Sequence, residues 1–322
     1  MYLKSNILYF HVDTPLHVGA GSGLGAIDLP IQRERSTGYP MIQASGIKGA
    51  LRDALRSKLA KAEIEAVFGP WQVSDDENPN PETENAPSQN KAHAGAFSPG
   101  DARILLFPVR SLKGVFAWTT SANVLQRWAR EVREIAELEA LDGFIGPVST
   151  EDNEYCFTGS DAVVTSDGSV VLEDFAFERQ EEDISDLAEA LAKRIFPEEK
   201  DQYWKDLLKS NLVVLPDDDF TDFVTYTTDV ITRTRIEPDS KTVVRGALWT
   251  EEHLPVDTVL YTPIRATRIR MNAKDIPEVF QGSSEEQAQK VLKWLKDNIG
   301  DRIQLGGDET VGRGLVGLHW EL

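Results

Sequence analysis

TPLHVGAGSGLGAIDLPIQRERSTGYPMIQASGIKGALRDALR, residues 14–56, joins a glycine-rich loop, one carboxylate at the loop's exit and the start of a basic helix. Gly19, Gly21, Gly23 and Gly25 alternate with small residues. Glycine tolerates positive φ and close approach of another backbone or a phosphate, so the run is neither regular strand nor helix. Asp28 is the only acid between Asp13 and Glu34. A carboxylate leaving such a loop can reach a ligand or a metal ion, and it equally suits a loop residue that bonds local amides. His17 lies in the same loop, as an acid or base or as a structural histidine. Ser45 reads as the N-cap of a helix from about Gly46 to Ala62 whose apolar face is Leu51, Ala54, Leu55 and Leu59. Lys48, Arg52 and Arg56 recur every fourth residue on another face, and free amides beside that stripe would make a phosphate site.

Working outward, Leu3 to Val12 reads as a strand, and Gly38 to Ile42 as a turn into a short extended piece. Ala102 to Val109 is a buried-type strand with a partner at Lys113 to Trp118. A helix capped by Thr120 or Ser121 follows to about Ala136, with Val124, Leu125, Trp128 and Val132 inward. A hairpin is expected over Ala162 to Phe177, turning at Ser166 to Ser169, then helices at Ile184 to Ile195 and Gln202 to Lys209. Phe196, Tyr203 and Trp204 read as packing residues. Thr225 to Leu248 forms two strands about a turn at Glu237 to Ser240, carrying Arg233, Arg235 and Arg245. After a strand at Val259 to Arg270, Ser284 caps a helix to Asn298, with Gly300 just beyond it. The last strand starts at Ile303, breaks at a second glycine loop, Gly306 to Gly314, and resumes at Leu315 to Leu318. This order indicates α+β with an antiparallel sheet.

The 322 residues carry 34 Lys and Arg against 53 Asp and Glu, a formal net charge of −19. Nucleic-acid binding draws on cations to replace counterions, so the balance argues against it unless the charge is segregated. It is: residues 173–222 hold 16 acids and 6 bases, whereas residues 1–60 hold 7 bases and 4 acids. A basic groove on an otherwise acidic molecule is thus permitted. Residues 73–95, rich in Asp, Glu, Asn and Pro, read as a flexible insertion. Cys156 is the only cysteine, which excludes an internal disulfide and a multi-thiolate zinc site. The five histidines show no HxxxH or HxH spacing. No apolar run approaches the ~18 residues of a membrane helix, and MYLKSNILYFHV lacks a signal peptide's apolar core, so the expected place is the cytoplasm, with no membrane partner.

Leu16 to Arg52, with the second loop Gly306-Gly307-Asp308-Glu309-Thr310-Val311-Gly312-Arg313-Gly314, resembles the RAMP superfamily of CRISPR-associated proteins. Asp28-Leu29-Pro30-Ile31-Gln32-Arg33-Glu34 and Gly246-Ala247-Leu248-Trp249 resemble the repeated backbone subunit of the type III-B (Cmr) RNA-guided effector complex, with the type III-A equivalent as the near alternative. The resemblance implies one RAMP domain over residues 1–322: a ferredoxin-like RNA-recognition core, or palm, with large insertions. These are an acidic, largely helical segment at 173–222 and a thumb hairpin at 225–248. It implies partners too: a guide RNA, a complementary target RNA, further copies of the chain in a filament, and other complex subunits including the large polymerase/cyclase-like one.

In that setting Ser45, Lys48 and Arg52, with Gly306, Gly307, Gly312, Arg313 and Gly314, are expected on the guide strand, and Arg233 and Arg235 on the hairpin that wedges into the duplex. A plain hairpin with exposed arginines accounts for the last two equally. Asp28 stands where the family cuts target RNA at regular intervals with a divalent metal, Mg²⁺ or Mn²⁺, by attack of the ribose 2′-OH; His17 is a further acid or base. Glu251 and Glu252 could add a carboxylate but read better as a solvated strand end, and Tyr39 and Trp249 could stack on bases but read better as core. Two other classes stay open: a scaffold that coats guide RNA without chemistry, and a small-molecule kinase using GAGSGLGA, although GxxxxGK[ST] is absent.

Overall fold

The computed structural model describes residues 2–23, 25–70, 93–133, 144, 146 and 154–321. Residues 73–92 of the expected insertion and the expected helix end at 134–136 lie outside the described residues. In chain order the elements are β1 (Lys4–Val12), β2 (Met41–Ile42), α1 (Ala44–Leu55), α2 (Lys61–Phe68), β3 (Phe97–Pro99), β4 (Ala102–Arg110), β5 (Phe116–Ser121) and α3 (Ala122–Val132). Then come β6 (Tyr155–Cys156), β7 (Ser169–Leu172), β8 (Phe175–Arg179), α4 (Ser185–Ile195), α5 (Gln202–Asn211), β9 (Leu212–Leu215) and α6 (Asp217–Tyr226). The chain closes with β10 (Asp229–Ile236), β11 (Val243–His253), β12 (Val259–Ala266), α7 (Ser284–Ile299), β13 (Arg302–Gln304) and β14 (Leu315–Glu321).

The architecture is α+β. A nine-stranded sheet runs β13-β14-β1-β12-β4-β5-β9, with β2 on β4 and β3 on β12. Every pairing in it is antiparallel except β5 with β9. β1 sits between β12 and β14, and Ile7 to Val12 are buried without interruption, so both sheet faces are covered there. Within residues 173–222, β9 is a strand of this sheet and is wholly buried, while α4 packs on β14. Among the described residues no helix is long and apolar enough to cross a membrane.

Local chemistry accounts for the helices and for where their ends depart from expectation. On α1, Ile47, Leu51 and Leu55 are buried at four-residue spacing. The helix stops at Leu55 rather than reaching Ala62, because Ala60 is extended and α2 restarts at Lys61. Ser45 is not the cap: Gln43 holds that position without a side-chain bond, and Ser45 is the exposed second helical residue. α7 is capped by Ser283, one residue before Ser284, through a capping box with Glu286. Left-handed Gly114 and Val115 turn the chain after β4, so β5 starts at Phe116 and reaches Ser121. The turn near Ser166 joins only a Val164–Val170 bridge; the hairpin of β7 and β8 turns at Glu173 and Asp174. Phe196 and Trp204 pack as expected, whereas Tyr203 is exposed.

β10 and β11 form a separate two-stranded sheet turning between Ile236 and Val243. Most of the hairpin is solvent-exposed, but Glu251, Glu252 and His253 at the end of β11 are buried. That buried root meets both glycine loops.

Candidate carboxylate site and nucleic-acid interface

The glycine loop leaves along β11. Leu29 donates its amide to the Thr250 carbonyl and accepts from the Glu252 amide, both at 3.0 Å. This lays Asp28 beside Thr250, whose amide and hydroxyl donate to Asp28 Oδ2 at 2.8 and 3.1 Å. The Asp28 amide donates back to Thr250 Oγ1 at 3.0 Å. The local-amide role of Asp28 is therefore real, yet all these bonds use Oδ2, and the residue is exposed.

Side chains alternate along β11, so Thr250 and Glu252 face one way and Glu251 and His253 the other. Glu252 is 2% exposed and accepts from Arg33 at 2.6 Å, Thr228 at 2.8 Å and the Ile31 amide at 3.0 Å. Arg33 also donates to the carbonyls of Gly38 and Val224. The segment after Asp28 is thus tied to the hairpin root through one buried carboxylate. The expectation of a solvated strand end fails for both glutamates, because the root of β11 is enclosed by the two loops.

On the opposite face, Glu251 accepts from Trp249 Nε1 at 2.6 Å and from Arg233 at 3.0 Å. Arg233 also lies 3.6 Å from Asp308 of the second glycine loop. His253 is fully buried; burial holds its pKa below the ordinary histidine value, with His17 and Arg313 adding to that against the pull of Glu251 and Asp308. Arg233, expected on RNA, is engaged inward here, whereas Arg235 is exposed. His17 Nδ1 lies 2.7 Å from the Glu252 carbonyl. A carbonyl only accepts, so Nδ1 carries the proton and Nε2 of the neutral ring is left as the base.

The second glycine loop meets the first. Gly307 donates to the His17 carbonyl at 2.9 Å and Gly314 to the Pro15 carbonyl at 3.1 Å. Gly306 has φ +71°, and a Cβ there would overlap the His17 carbonyl oxygen. At Gly314 a Cβ would overlap the Leu305 carbonyl oxygen. The backbone admitted at these glycines is the protein's own. Gly312, left-handed at φ +77°, faces open space, and half-buried Arg313 offers its carbonyl to Gln304.

The basic stripe of α1 occupies a different place, against β3 and α2. Lys48 Nζ donates to the Phe97 carbonyl at 3.1 Å and Arg52 to the Gly69 carbonyl at 3.0 Å. Both line a cleft with Phe68, Pro70 and His93. Burial, then the neighbouring Arg52, lowers the Lys48 pKa. The start of α1 is not an open phosphate cradle: Asp101 accepts the Ala44 amide at 2.8 Å. Tyr39 is core, edge-on to Phe220 at 5.5 Å. His253 has no role in the sequence reading, Asp308 stands there only as part of the second glycine loop, and Glu251 only as an extra carboxylate or a solvated strand end; the alternation in Thr250-Glu251-Glu252-His253 is the local sign of two distinct carboxylate environments.

A model of the RAMP superfamily matches residues 9–317. The chain is 36% identical over 318 residues to the CRISPR system Cmr endoribonuclease Cmr4 of Pyrococcus furiosus, covering 98% of this chain and 95% of that one. It is 26% identical over 325 residues to the CRISPR system CMR subunit Cmr4 of Saccharolobus solfataricus, covering 95% and 93%. The crystal structure of oligomeric Cmr4 from Pyrococcus furiosus matches with a TM-score of 0.67 at 30% identity over 98% and 97% of the two chains. A chain of the type III-B Cmr-beta complex bound to cognate target RNA shares the fold, with a TM-score of 0.68 at 22% identity over 99% and 98%.

Proposed function

The chain belongs to the RAMP superfamily, and on that premise we propose that it is a Cmr4-type backbone subunit of a type III-B effector, assembling along a guide RNA and cutting the complementary target RNA at regular intervals. In this reading the nine-stranded sheet with its helices is the ferredoxin-like palm and β10–β11 the thumb. Copies of the chain stack along the guide in the cytoplasm beside the other Cmr subunits, the large polymerase/cyclase-like subunit among them.

The observation that carries the reading is the clasp between Asp28 and Thr250. It fixes an exposed carboxylate at the edge of the hairpin root while leaving Oδ1 outside the clasp. One carboxylate oxygen fits a divalent ion only as a single ligand, so RNA oxygens and water complete its shell. When bound, Mg²⁺ or Mn²⁺ supplies positive charge at the scissile phosphate. Asp28 holds that position, and His17, with Nε2 as its free base, accepts the 2′-OH proton as the 2′-oxygen attacks phosphorus. The P–O5′ bond breaks in line, leaving a 2′,3′-cyclic phosphate and a 5′-hydroxyl, which takes its proton from water. The thumb bends the target into this geometry, with Arg235 at its exposed face. Lys48 and Arg52 grip guide phosphates without reading sequence.

A scaffold without chemistry would use Asp28 only to bond Thr250. The discriminating experiment loads the assembled complex with guide RNA and end-labelled target, with and without Mg²⁺, and compares the native chain with Asp28→Asn. The expected outcome is a regular, metal-dependent ladder that falls about 100-fold or more in the variant while guide RNA stays bound. Equal cleavage by the variant assigns the chain to the scaffold role. The kinase reading would rest on the glycine-rich loop GAGSGLGA, and binding of ATP but not of RNA would support it.

A further inference from the structure

Glu251, His253 and Asp308 project their donor atoms toward one point from two separate parts of the chain, the root of β11 and the loop between β13 and β14. One donor atom from each lies within 4.8 Å of the others. Acidic clusters are common without a ligand, and this one would carry nothing but for its third member. His253 is 0% exposed, and neither ring nitrogen has a hydrogen-bond partner among the described residues. Its Nε2 lies 3.7 Å from Asp308 Oδ2, so the unsatisfied nitrogen points into the cluster. A buried imidazole without partners costs free energy comparable to a lost hydrogen bond. A bound cation would satisfy it.

A cation already stands there in part. Arg233 NH1 is 3.0 Å from Glu251 Oε2 and 3.6 Å from Asp308 Oδ1, neutralising the carboxylates from the hairpin side. A guanidinium is a donor only, so it serves the two carboxylates but leaves His253 unserved. A metal ion would serve all three.

We infer that Glu251, His253 and Asp308 form a binding site for a borderline divalent cation of the Zn²⁺ or Co²⁺ type, with the Arg233 guanidinium as its built-in competitor. One imidazole and two carboxylates favour such ions over Mg²⁺, which takes oxygen ligands and is reluctant to shed water. Donors bonded to one ion at about 2.1 Å lie within about 4.2 Å of one another, so the 4.8 Å spread must contract by about half an ångström or more. The bound ion would cross-link β11 to the second glycine loop and free Arg233 from the hairpin root. The site shares no donor with Asp28, and its test needs neither RNA nor cleavage.

The full chain, stripped with chelator, is titrated with Co²⁺ while visible absorption is recorded, then with Zn²⁺ by calorimetry, with Mg²⁺ as the comparison. One saturable Co²⁺ band displaced by Zn²⁺, with no saturable Mg²⁺ heat, is the expected result. His253→Gln and Asp308→Asn should each weaken Zn²⁺ binding about 100-fold or more, since loss of mere supporting contacts already costs 10–100-fold. Arg233→Met should tighten it about tenfold, the scale of one charged hydrogen bond. A Zn²⁺-dependent rise in melting temperature lost in Asp308→Asn gives a second readout that holds if His253→Gln fails to fold. No saturable binding by the native chain, or binding that survives Asp308→Asn and falls only with His17→Gln, would overturn the assignment.

Discussion

Asp28 and Thr250 hold each other from both ends: the Asp28 amide donates to the Thr250 hydroxyl at 3.0 Å while the Thr250 amide donates to the Asp28 carboxylate at 2.8 Å. The two residues are 222 positions apart, so the clasp fixes a loop carboxylate on a strand from the other end of the chain. Thr250→Val keeps the shape and the amide bond but removes the hydroxyl. Target cleavage by the assembled complex should fall about tenfold, the scale of one lost hydrogen bond near the reacting centre, and Thr250→Ser should restore most of it. Unchanged single-turnover rates in the valine variant would detach Thr250 from the chemistry.

Glu252 carries more structural weight than its neighbour in sequence. It is the sole carboxylate on Arg33 among the described contacts and also holds Thr228 and the Ile31 amide. Glu252→Gln keeps the size but strands the guanidinium, and should cost about 3 kcal/mol in urea unfolding, the low end for a broken buried pair because Arg33 keeps some contact with water. A loss under about 1 kcal/mol would mean that the surrounding carbonyls suffice for Arg33.

Two glycines of the second loop make an internal control. Gly306→Ala and Gly312→Ala both place Cβ on a left-handed backbone, at about 1 kcal/mol each. Only the first also drives a methyl into the His17 carbonyl. Denaturant midpoints should therefore fall clearly further for Gly306→Ala, and the same variant should impair cleavage by shifting His17. Equal losses would show that the loops separate at no cost.

Acid should destabilise the fold through a buried histidine. Burial pushes His319 down to about 4, with His11 beside it adding to the shift; Phe196, Asp201, Glu198, Lys200 and Asp13 are its other neighbours. Its folded pKa lies below the unfolded value near 6.5, so the unfolded chain takes up the proton first. The stability from neutral His319 is full above about pH 6.5 and is lost as pH falls toward about 4, reaching about 3 kcal/mol. His253 acts in the same direction, whereas Asp201, whose carboxyl burial raises, acts in the opposite one. His319→Phe, packed on Phe196, should flatten the unfolding free energy between pH 6.5 and 5; an unchanged slope would place the sensitivity elsewhere.

What the sequence made legible follows from how local each determinant is. The periodic faces of α1 and α7 and the apolar run of β4 declared themselves, because each element's pattern lies within its own residues. The cap of α7 was missed by one because Ser283 and Ser284 offer the same chemistry. The start of α1 was misread because its amide is bonded by Asp101, 57 positions away. The same boundary runs through the site. Asp28, His17 and both glycine loops stand out by composition, but what the glycines admit, and which carboxylate on β11 is bonded to what, depend on pairings across the whole chain. Net charge misled least once it was mapped: Lys48 and Arg52 are where segregation placed the cations, although each also bonds a backbone carbonyl.

β11 is one strand of 11 residues, about 35 Å from an exposed tip at Val243 to a buried root at His253. It is a lever seated in a socket, jointed where Gly246 is left-handed at φ +77° and the pairing with β10 shifts register. A load on the tip reaches Thr250, Glu251 and Glu252 only through that joint, so the stretch from Ala247 to the root, rather than the tip, sets the aim of Asp28.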